Sequence, residues 1–428
     1  MEQRNLPEAL HAGRYDPALI SLYGTAKLPA ARNRALRLAE RFAADFPAVF
    51  DRAELFSAPG RTEIGGNHTD HQHGHVLCGS VDMDTLACAA PNGLRVIRVH
   101  SEGYAPLEID LAHMQPKDSE RNTTAALVRG VAARITESGY PVGGFDACVT
   151  SNVLSGMGLS SSAAFEVLMG NIINYFFCDS ALDSIEIAMI SQYAENAYFG
   201  KPCGLMDQMG CSVGGAISID FADPKSPIVK RADYDFSRSG HALCIIDTGS
   251  DHADLTDDYA AIPREMGEVA AHFGKSVLRE VPKERFYAEL SSVRERCGDR
   301  AVLRAMHFYD DDRAALDEAA ALETGDFERF LALVSASGVS SAVNLQNTCT
   351  YADSKRQAVS LAIALSKKLL AGTGAVRVHG GGFAGTIQAF VPEAQLERFK
   401  NGIERVFGAE SCHVLRIRSR GGCVILPE

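Results

Sequence analysis

"SNVLSGMGLSSSAAFEVLMG", residues 151–170, joins a strand-like run ending at Leu154 to a stretch of Ala, Phe, Val, Leu and Met through two glycines and three serines. Glycine lets backbone approach a ligand closely, and serines at a helix start cap it while leaving amide N–H groups pointing outward. Free amides and the helix dipole both favour an anion, so the stretch suits phosphate, with hydroxyls to spare for a phosphate oxygen or Mg2+. It is neither a Walker A loop nor a Rossmann fingerprint, since GxxxxGK[ST] and GxGxxG are both missing. A glycine turn before a well-capped buried helix explains the same residues, and both readings stand at this point.

Around this stretch the chain reads as mixed α and β. Helices are predicted over 161–177, 183–199 and 356–371, the second started by Asp183 as N-cap with Glu186 three residues on. Residues 1–50 read as helical, because "AARNRALRLAERFAADF" (30–46) spaces its apolar residues by three and four. From Phe56 to Val149 the texture is strand-like, in "VLCGSVDMDTLACAA", "LRVIRVHS" and "FDACVTSNVL". The polar segment "DPKSPIVKRADYDFSRSG" (223–240), with two prolines and a glycine, is the natural boundary between two α+β domains.

Composition narrows the function classes. The 428 residues are 46% hydrophobic and 22% charged, enough for two domains with cores of their own. No apolar run approaches the roughly 18–20 residues of a membrane span, and the first twenty residues lack the apolar segment of a signal peptide. The net charge of −12, with no Lys/Arg block, argues against nucleic acid or an anionic membrane as partner. Eleven cysteines are scattered from Cys78 to Cys423 with no CxxC pair, the usage of reduced thiols in a cytoplasm.

Three further stretches carry polar residues between glycines. "GGNHTDHQHGH" (65–75) packs four histidines and an aspartate into eleven residues. A zinc centre needs three or four converging ligands, and His71, His73 and His75 lie too close along the chain to favour one, so most of these histidines read as loop surface. "VRVHGGGFAGTIQAFV" (376–391) sets four glycines between two strand-like runs, as a hairpin connection or a close backbone approach. "AENAYFGKPCGLMDQMG" (194–210) ends a helix at Gly200 and puts Asp207 and Gln208 in a loop flanked by Gly204 and Gly210.

In this order the pieces resemble the GHMP small-molecule kinases. "APGRTEIGGNHTDHQHGH" (58–75) matches A-P-G-R followed by G-x-H-T-D, and "SGMGLSSSAAFE" (155–166) resembles the family's phosphate loop. "HGGGFAGT" (379–386) stands against the usual GGGFGG, and "CGLMDQ" (203–208) against CGIMDQ. The resemblance spans roughly residues 50–428 and points to the branch that phosphorylates galactose. It implies an α+β two-domain fold with a site in the cleft: an N-terminal domain like ribosomal protein S5 domain 2 (residues 1–230) and a ferredoxin-like C-terminal domain (231–428). It also implies ATP and Mg2+, and a small sugar phosphorylated at its anomeric hydroxyl in a cytoplasmic monomer or weak dimer.

By position, Asp207 resembles the family's catalytic aspartate and Arg61 the arginine beside it. Phosphoryl transfer asks mainly for positioning and charge stabilisation, and such an arginine would keep the aspartate ionised. Gly156, Gly158, Leu159, Ser160, Ser161 and Ser162 would line the phosphate loop, with Gly381 and Gly382 facing it from the second domain. Ser162 and Glu195 would hold Mg2+; Asn67, His68, Asp70, Gly204 and Tyr259 would hold the sugar. Without the resemblance, Glu195 reads as a solvated helix face and Tyr259 as a surface tyrosine. The departures fall on the sugar side: the family's GEHTDY is GNHTDH here, Asp251 replaces a basic residue, and Ile262 and Pro263 replace an Arg-Arg pair. These changes keep two alternatives open: a kinase for N-acetylgalactosamine, L-arabinose or galacturonate, and a non-catalytic sugar and ATP sensor.

Overall fold

The structure, a computed structural model, describes residues 6–153, 157–250 and 255–427. Three helices open the chain: α1 (Leu6–His11), α2 (Asp16–Tyr23) and α3 (Leu28–Asp45). Strands β1 (Glu54–Gly65), β2 (His75–Pro91), β3 (Val96–Ser101) and β4 (Leu107–Asp110) follow, then α4 (Thr124–Glu137) and β5 (Phe145–Ser151). After the phosphate-loop stretch come α5 (Ser161–Phe177), α6 (Ser184–Tyr193), α7 (Met206–Ser212), β6 (Ala216–Asp220) and β7 (Ile228–Ala232). Strand β8 (His241–Asp247) precedes a helical block of α8 (Thr256–His272), α9 (Lys283–Ala288), α10 (Leu290–Cys297), α11 (Asp299–Glu323) and α12 (Phe327–Ser340). The chain closes with α13 (Ala358–Leu370), β9 (Ala375–Val378), β10 (Thr386–Pro392), α14 (Leu396–Phe407), β11 (Cys412–Leu415) and β12 (Cys423–Ile425).

The described strands form two sheets. The larger has eight strands in the order β12-β1-β2-β5-β3-β4, with β6 paired to β2 and β7 to β6. The smaller has four, in the order β11-β8-β10-β9. One face of the large sheet packs on α1–α3, through Leu19, Leu38, Phe42, Leu55 and Cys88. Its other face packs on α4 and α5, through Phe56, Val128, Val131, Leu168 and Ile172. The small sheet is backed by α13 and α14. This is the mixed α+β architecture with two sheets that the residue patterns suggest. The segment 223–240 is less irregular than its prolines imply, because Ile228–Ala232 forms β7 on the edge of the large sheet. The chain also returns, since β12 pairs with β1 and places residues 423–425 in the N-terminal sheet.

Local chemistry accounts for the elements that hold the site. Helix α5 is largely apolar and mostly buried between Ala163 and Asn174, so packing against its neighbours holds it. Asp183 accepts from the amides of Ile185 and Glu186 at 2.8 Å while Glu186 accepts from the Asp183 amide, a complete capping box. Strand β1 slips register against β2 between Pro59 and Arg61 and again between Glu63 and Gly65. Pro59 brings no ladder donor, and irregularities of this kind re-aim side chains. Between the two slips Arg61, Thr62 and Glu63 pair with Ser80, Gly79 and Cys78, and Gly60 and Ile64 are the residues left out of the ladder.

Candidate active site

At the first slip the backbone of β1 turns to the phosphate loop. The Arg61 amide donates to the Leu159 carbonyl at 3.1 Å. A Cβ at Gly60 would lie 2.8 Å from that same carbonyl oxygen, so only glycine permits the approach. The Arg61 side chain is buried, and its Nε donates to Asp207 Oδ1 at 2.8 Å while Nη2 lies 2.6 Å from the same oxygen. Its Nη1 donates to the Gly158 carbonyl. Asp207 lies in the first turn of α7, not in a loop: Pro202 and Gly204 end the irregular segment and α7 begins at Met206.

Ser160 departs from expectation in an informative way. It occupies the N-cap position of α5 with φ 59°, and its side chain does not cap. Its hydroxyl donates to Asp207 Oδ2 at 2.5 Å. The serine is therefore spent on the carboxylate. Burial pushes the Asp207 carboxyl up, but Arg61 and then Ser160 outweigh it and hold the group below the ordinary aspartate range. A third of the Asp207 side chain remains accessible. Gly156, a predicted phosphate-loop residue, and Asp251 lie outside the described residues.

Ser161 and Ser162, half-buried, begin α5. Ser162 Oγ donates to Glu195 Oε1 at 3.3 Å, so the hydroxyl and carboxylate predicted to share a metal lie side by side. Glu195 is buried, not a solvated helix face, in the wide turn Ala194–Phe199 that extends α6. It also accepts from Lys201 Nζ at 3.4 Å and from Gln208 Nε2 at 2.8 Å. Gln208 bridges it to Glu166, whose carboxyl is pushed well up by burial and then by Glu195. Two hard oxygen donors at the start of α5 fit Mg2+, which keeps water and phosphate oxygens for its other positions.

The sugar-side residues converge on the second glycine stretch, a true hairpin between β9 and β10. Three successive carbonyls each receive one of them. Asn67 Nδ2 donates to Gly380 O at 2.7 Å, His68 Nε2 lies 3.0 Å from Gly381 O, and the Tyr259 hydroxyl donates to Gly382 O at 2.6 Å. Tyr259 is half-buried in α8 and its ring abuts Gly381, where a Cβ would lie 2.7 Å from Cε1. A carbonyl partner requires the proton on His68 Nε2, which leaves Nδ1 as acceptor. Burial, and then His71, pushes His68 down to about 3, so the ring is neutral.

Asn67 is the clearest departure from the sequence-based expectation. It is fully buried, and its second amide hydrogen goes to Glu63 Oε1 at 2.8 Å. Its carbonyl oxygen accepts from Asn347 Nδ2 at 2.8 Å, and its backbone amide donates to Asp311 Oδ2 at 2.6 Å. Both donors are used internally, so position 67 acts as a latch between loop and hairpin and leaves no donor for a sugar hydroxyl. Asp70 differs: its half-buried carboxylate makes no hydrogen bond or ion pair among the described residues. One of its oxygens would be 2.6 Å from a Cβ at Gly204, which brings those two residues together. The neighbouring histidines are not loop surface. His75 is buried between Asp220, at 3.2 Å, and Asp312, at 3.0 Å, while His71 and His73 are half-buried.

Several residues at the site carry no sequence signal. Glu63, between the matched A-P-G-R and G-x-H-T-D, accepts from Arg377 Nη2 at 3.0 Å. Burial pushes its carboxyl up to about 7 against the pull of Arg377. Beside the start of α5 lies a cavity of about 310 Å³, with Thr85, Ser101, Asn122, Ser161 and Ser162 as polar walls and Leu127, Val149, Phe165 and Phe199 as apolar ones. Its walls come from six separate segments, so no contiguous motif could announce it.

Residues 126–215 match the GHMP kinases N terminal domain, and residues 40–91 the galactokinase galactose-binding signature. Over these residues the chain is similar to the GHMP kinase family. The chain is 29% identical over 370 residues to a galactokinase of Streptomyces coelicolor, covering 85% of this chain and 91% of that one. The fold is that of the Lactococcus lactis galactokinase solved with galactose, with TM-score 0.76 and 23% identity over 91% of this chain and 99% of that one. It is also similar to Methanococcus jannaschii mevalonate kinase, with TM-score 0.60 and 13% identity over 85% and 98% of the two chains.

Proposed function

We propose that the chain transfers the γ-phosphoryl group of ATP to the anomeric hydroxyl of galactose, giving galactose 1-phosphate and ADP. The observation that carries this reading is the Arg61–Asp207–Ser160 group at the mouth of the phosphate loop. Phosphoryl transfer needs an oriented alcohol and a stabilised charge, and this group supplies an acceptor, a cation and a helix start together. The sugar hydroxyl donates to Asp207, its oxygen attacks the γ-phosphorus, and the bond to the ADP oxygen breaks. As the new P–O bond forms, the hydroxyl becomes acidic enough to give its proton to a carboxylate held ionised by Arg61.

Asp70 is the open carboxylate for vicinal sugar hydroxyls, with His68 Nδ1, the Gly204 backbone and Tyr259 around it. The 310 Å³ cavity beside Ser161 and Ser162 suits a nucleoside, its apolar walls taking the base and its hydroxyls the polar edges. Ser162 and Glu195 are the residues that would hold Mg2+. When bound, that ion neutralises charge on the phosphate oxygens. No helix among the described residues is long and apolar enough to cross a membrane.

The test is ADP release from the purified chain with Mg·ATP and a panel of sugars at one low concentration. Galactose is expected to lead, ahead of N-acetylgalactosamine, L-arabinose and galacturonate. Another sugar in the lead would reassign the substrate, and ATP binding without turnover on any sugar would overturn the kinase reading.

A further inference from the structure

The large sheet carries a second set of polar side chains on the face turned away from the phosphate loop. In the parallel pairing of β3 with β5, His100 lies in register with Cys148, and Ser101 with Val149. Side chains alternate along a strand, so the two pairs point to opposite faces. Ser101 and Val149 line the 310 Å³ cavity. His100 and Cys148 instead meet Asp45, the last residue of α3.

Three elements thus deliver one nitrogen, one sulfur and one carboxylate oxygen to a single point. His100 Nδ1 lies 2.8 Å from Asp45 Oδ2, and Cys148 Sγ lies 3.5 Å from the same oxygen. The three ligand atoms all fall within 4.8 Å of one another, which no other group of His, Cys, Asp and Glu achieves among the described residues. The frame around them is stiff. Phe46 packs on the His100 ring at 4.6 Å, and Arg98 lies over Phe46 while two hydrogen bonds of 2.7 Å tie it to Asp146. Asp45 and His100 are partly exposed, which leaves a way in from solvent, while Cys148 is buried at the bottom.

Zinc takes nitrogen and oxygen at about 2.0–2.2 Å and sulfur at about 2.3 Å, so neighbouring ligand atoms stand roughly 3–4 Å apart. The sulfur–oxygen separation already meets this, and the nitrogen–oxygen pair needs to open by only a fraction of an ångström. Arg41, 3.7 Å from Asp45, is the competing cation among the described residues, and its side chain is partly exposed to water. A thiolate, an imidazole and a carboxylate select a borderline-soft ion over Mg2+, unlike the all-oxygen Ser162–Glu195 pair. We propose that Asp45, His100 and Cys148 form a binding site for a zinc-class divalent ion, completed by water, on the back of the sheet that bears the active site.

The intact chain, stripped of metal, is titrated with Co2+ and then with Zn2+. The expected result is a thiolate-to-cobalt charge-transfer band in the near ultraviolet, saturating at one equivalent and bleached by Zn2+. Cys148→Ser should abolish the band and His100→Ala should weaken binding roughly tenfold or more, with turnover by both variants kept as proof of folding. Absence of a thiolate band at one equivalent overturns the site. So does a band that survives both substitutions, which would trace it to another thiol such as Cys203 beside Glu195.

Discussion

Two arginine–carboxylate pairs sit two residues apart on β1, with their roles reversed. At position 61 the strand supplies the cation, and α7 brings the carboxylate of Asp207; at 63 the strand supplies the carboxylate, and β9 brings Arg377. Burial pushes both carboxyls up, yet Asp207 ends below its ordinary range and Glu63 ends at about 7. Partner geometry and access decide the difference. Asp207 has two arginine contacts of 2.6 and 2.8 Å, a serine donor and a third of its side chain accessible. Glu63 has one arginine contact at 3.0 Å and 6% accessibility, and the nearby Asp70 charge works against its ionisation. An accessible, firmly ionised carboxylate is placed to meet a substrate. A shut-in carboxylate that titrates near neutrality is placed to hold structure.

The sharpest way to break this contrast is Asp207→Asn, which removes the acceptor at constant volume. Turnover should fall roughly a hundred- to ten-thousand-fold while ATP affinity, read by calorimetry, stays nearly unchanged. Substantial residual ADP release would show that the charged pair at 61 is structural too. Next comes Asn67→Glu, which sets a carboxylate against Glu63 and removes the donor to Gly380. We expect a loss of about 3 kcal/mol or more in denaturant unfolding, with Glu63→Gln in the same chain recovering much of it. A stable Asn67→Glu protein with altered sugar preference would return position 67 to the substrate pocket.

A gentler test uses pH. Because burial raises Glu63 from its unfolded value, its contribution to stability is complete below about pH 4.5 and is lost as pH rises through about 7. Glu63→Gln should therefore gain on the parent between those values. His68 runs the other way, since its lowered pKa costs stability as pH falls below the ordinary histidine range, so only the difference between the two proteins isolates Glu63. Equal slopes would mean that Arg377 keeps Glu63 ionised throughout. The smallest effect is expected of Ser160→Ala, which removes one donor from Asp207. A few-fold change in kcat with an acid limb moved to higher pH would follow, and an unchanged profile would leave Arg61 as the sole group holding Asp207 ionised.

Local order was legible in the chain because its causes are local. The apolar run after the serines, the Asp183–Glu186 box and the glycines of 379–386 each declare a helix, a cap and a turn within a few residues. The family resemblance likewise points to Arg61, Asp207, Ser162 and Glu195, which the fold brings together in two pairs. Other assignments depended on what lies opposite in space. The Ser160 hydroxyl turned from capping to Asp207, Asn67 from sugar to hairpin, and His75 from surface to a pair of aspartates. Sequence spacing says nothing of Gly380, 313 residues from Asn67, or of Arg377, 314 residues from Glu63. Which chemical groups the chain would use was thus written in its residues. Which of them remain open to a substrate was decided by burial and long-range hydrogen bonding, because a polar group saturated by its own protein has nothing left to offer.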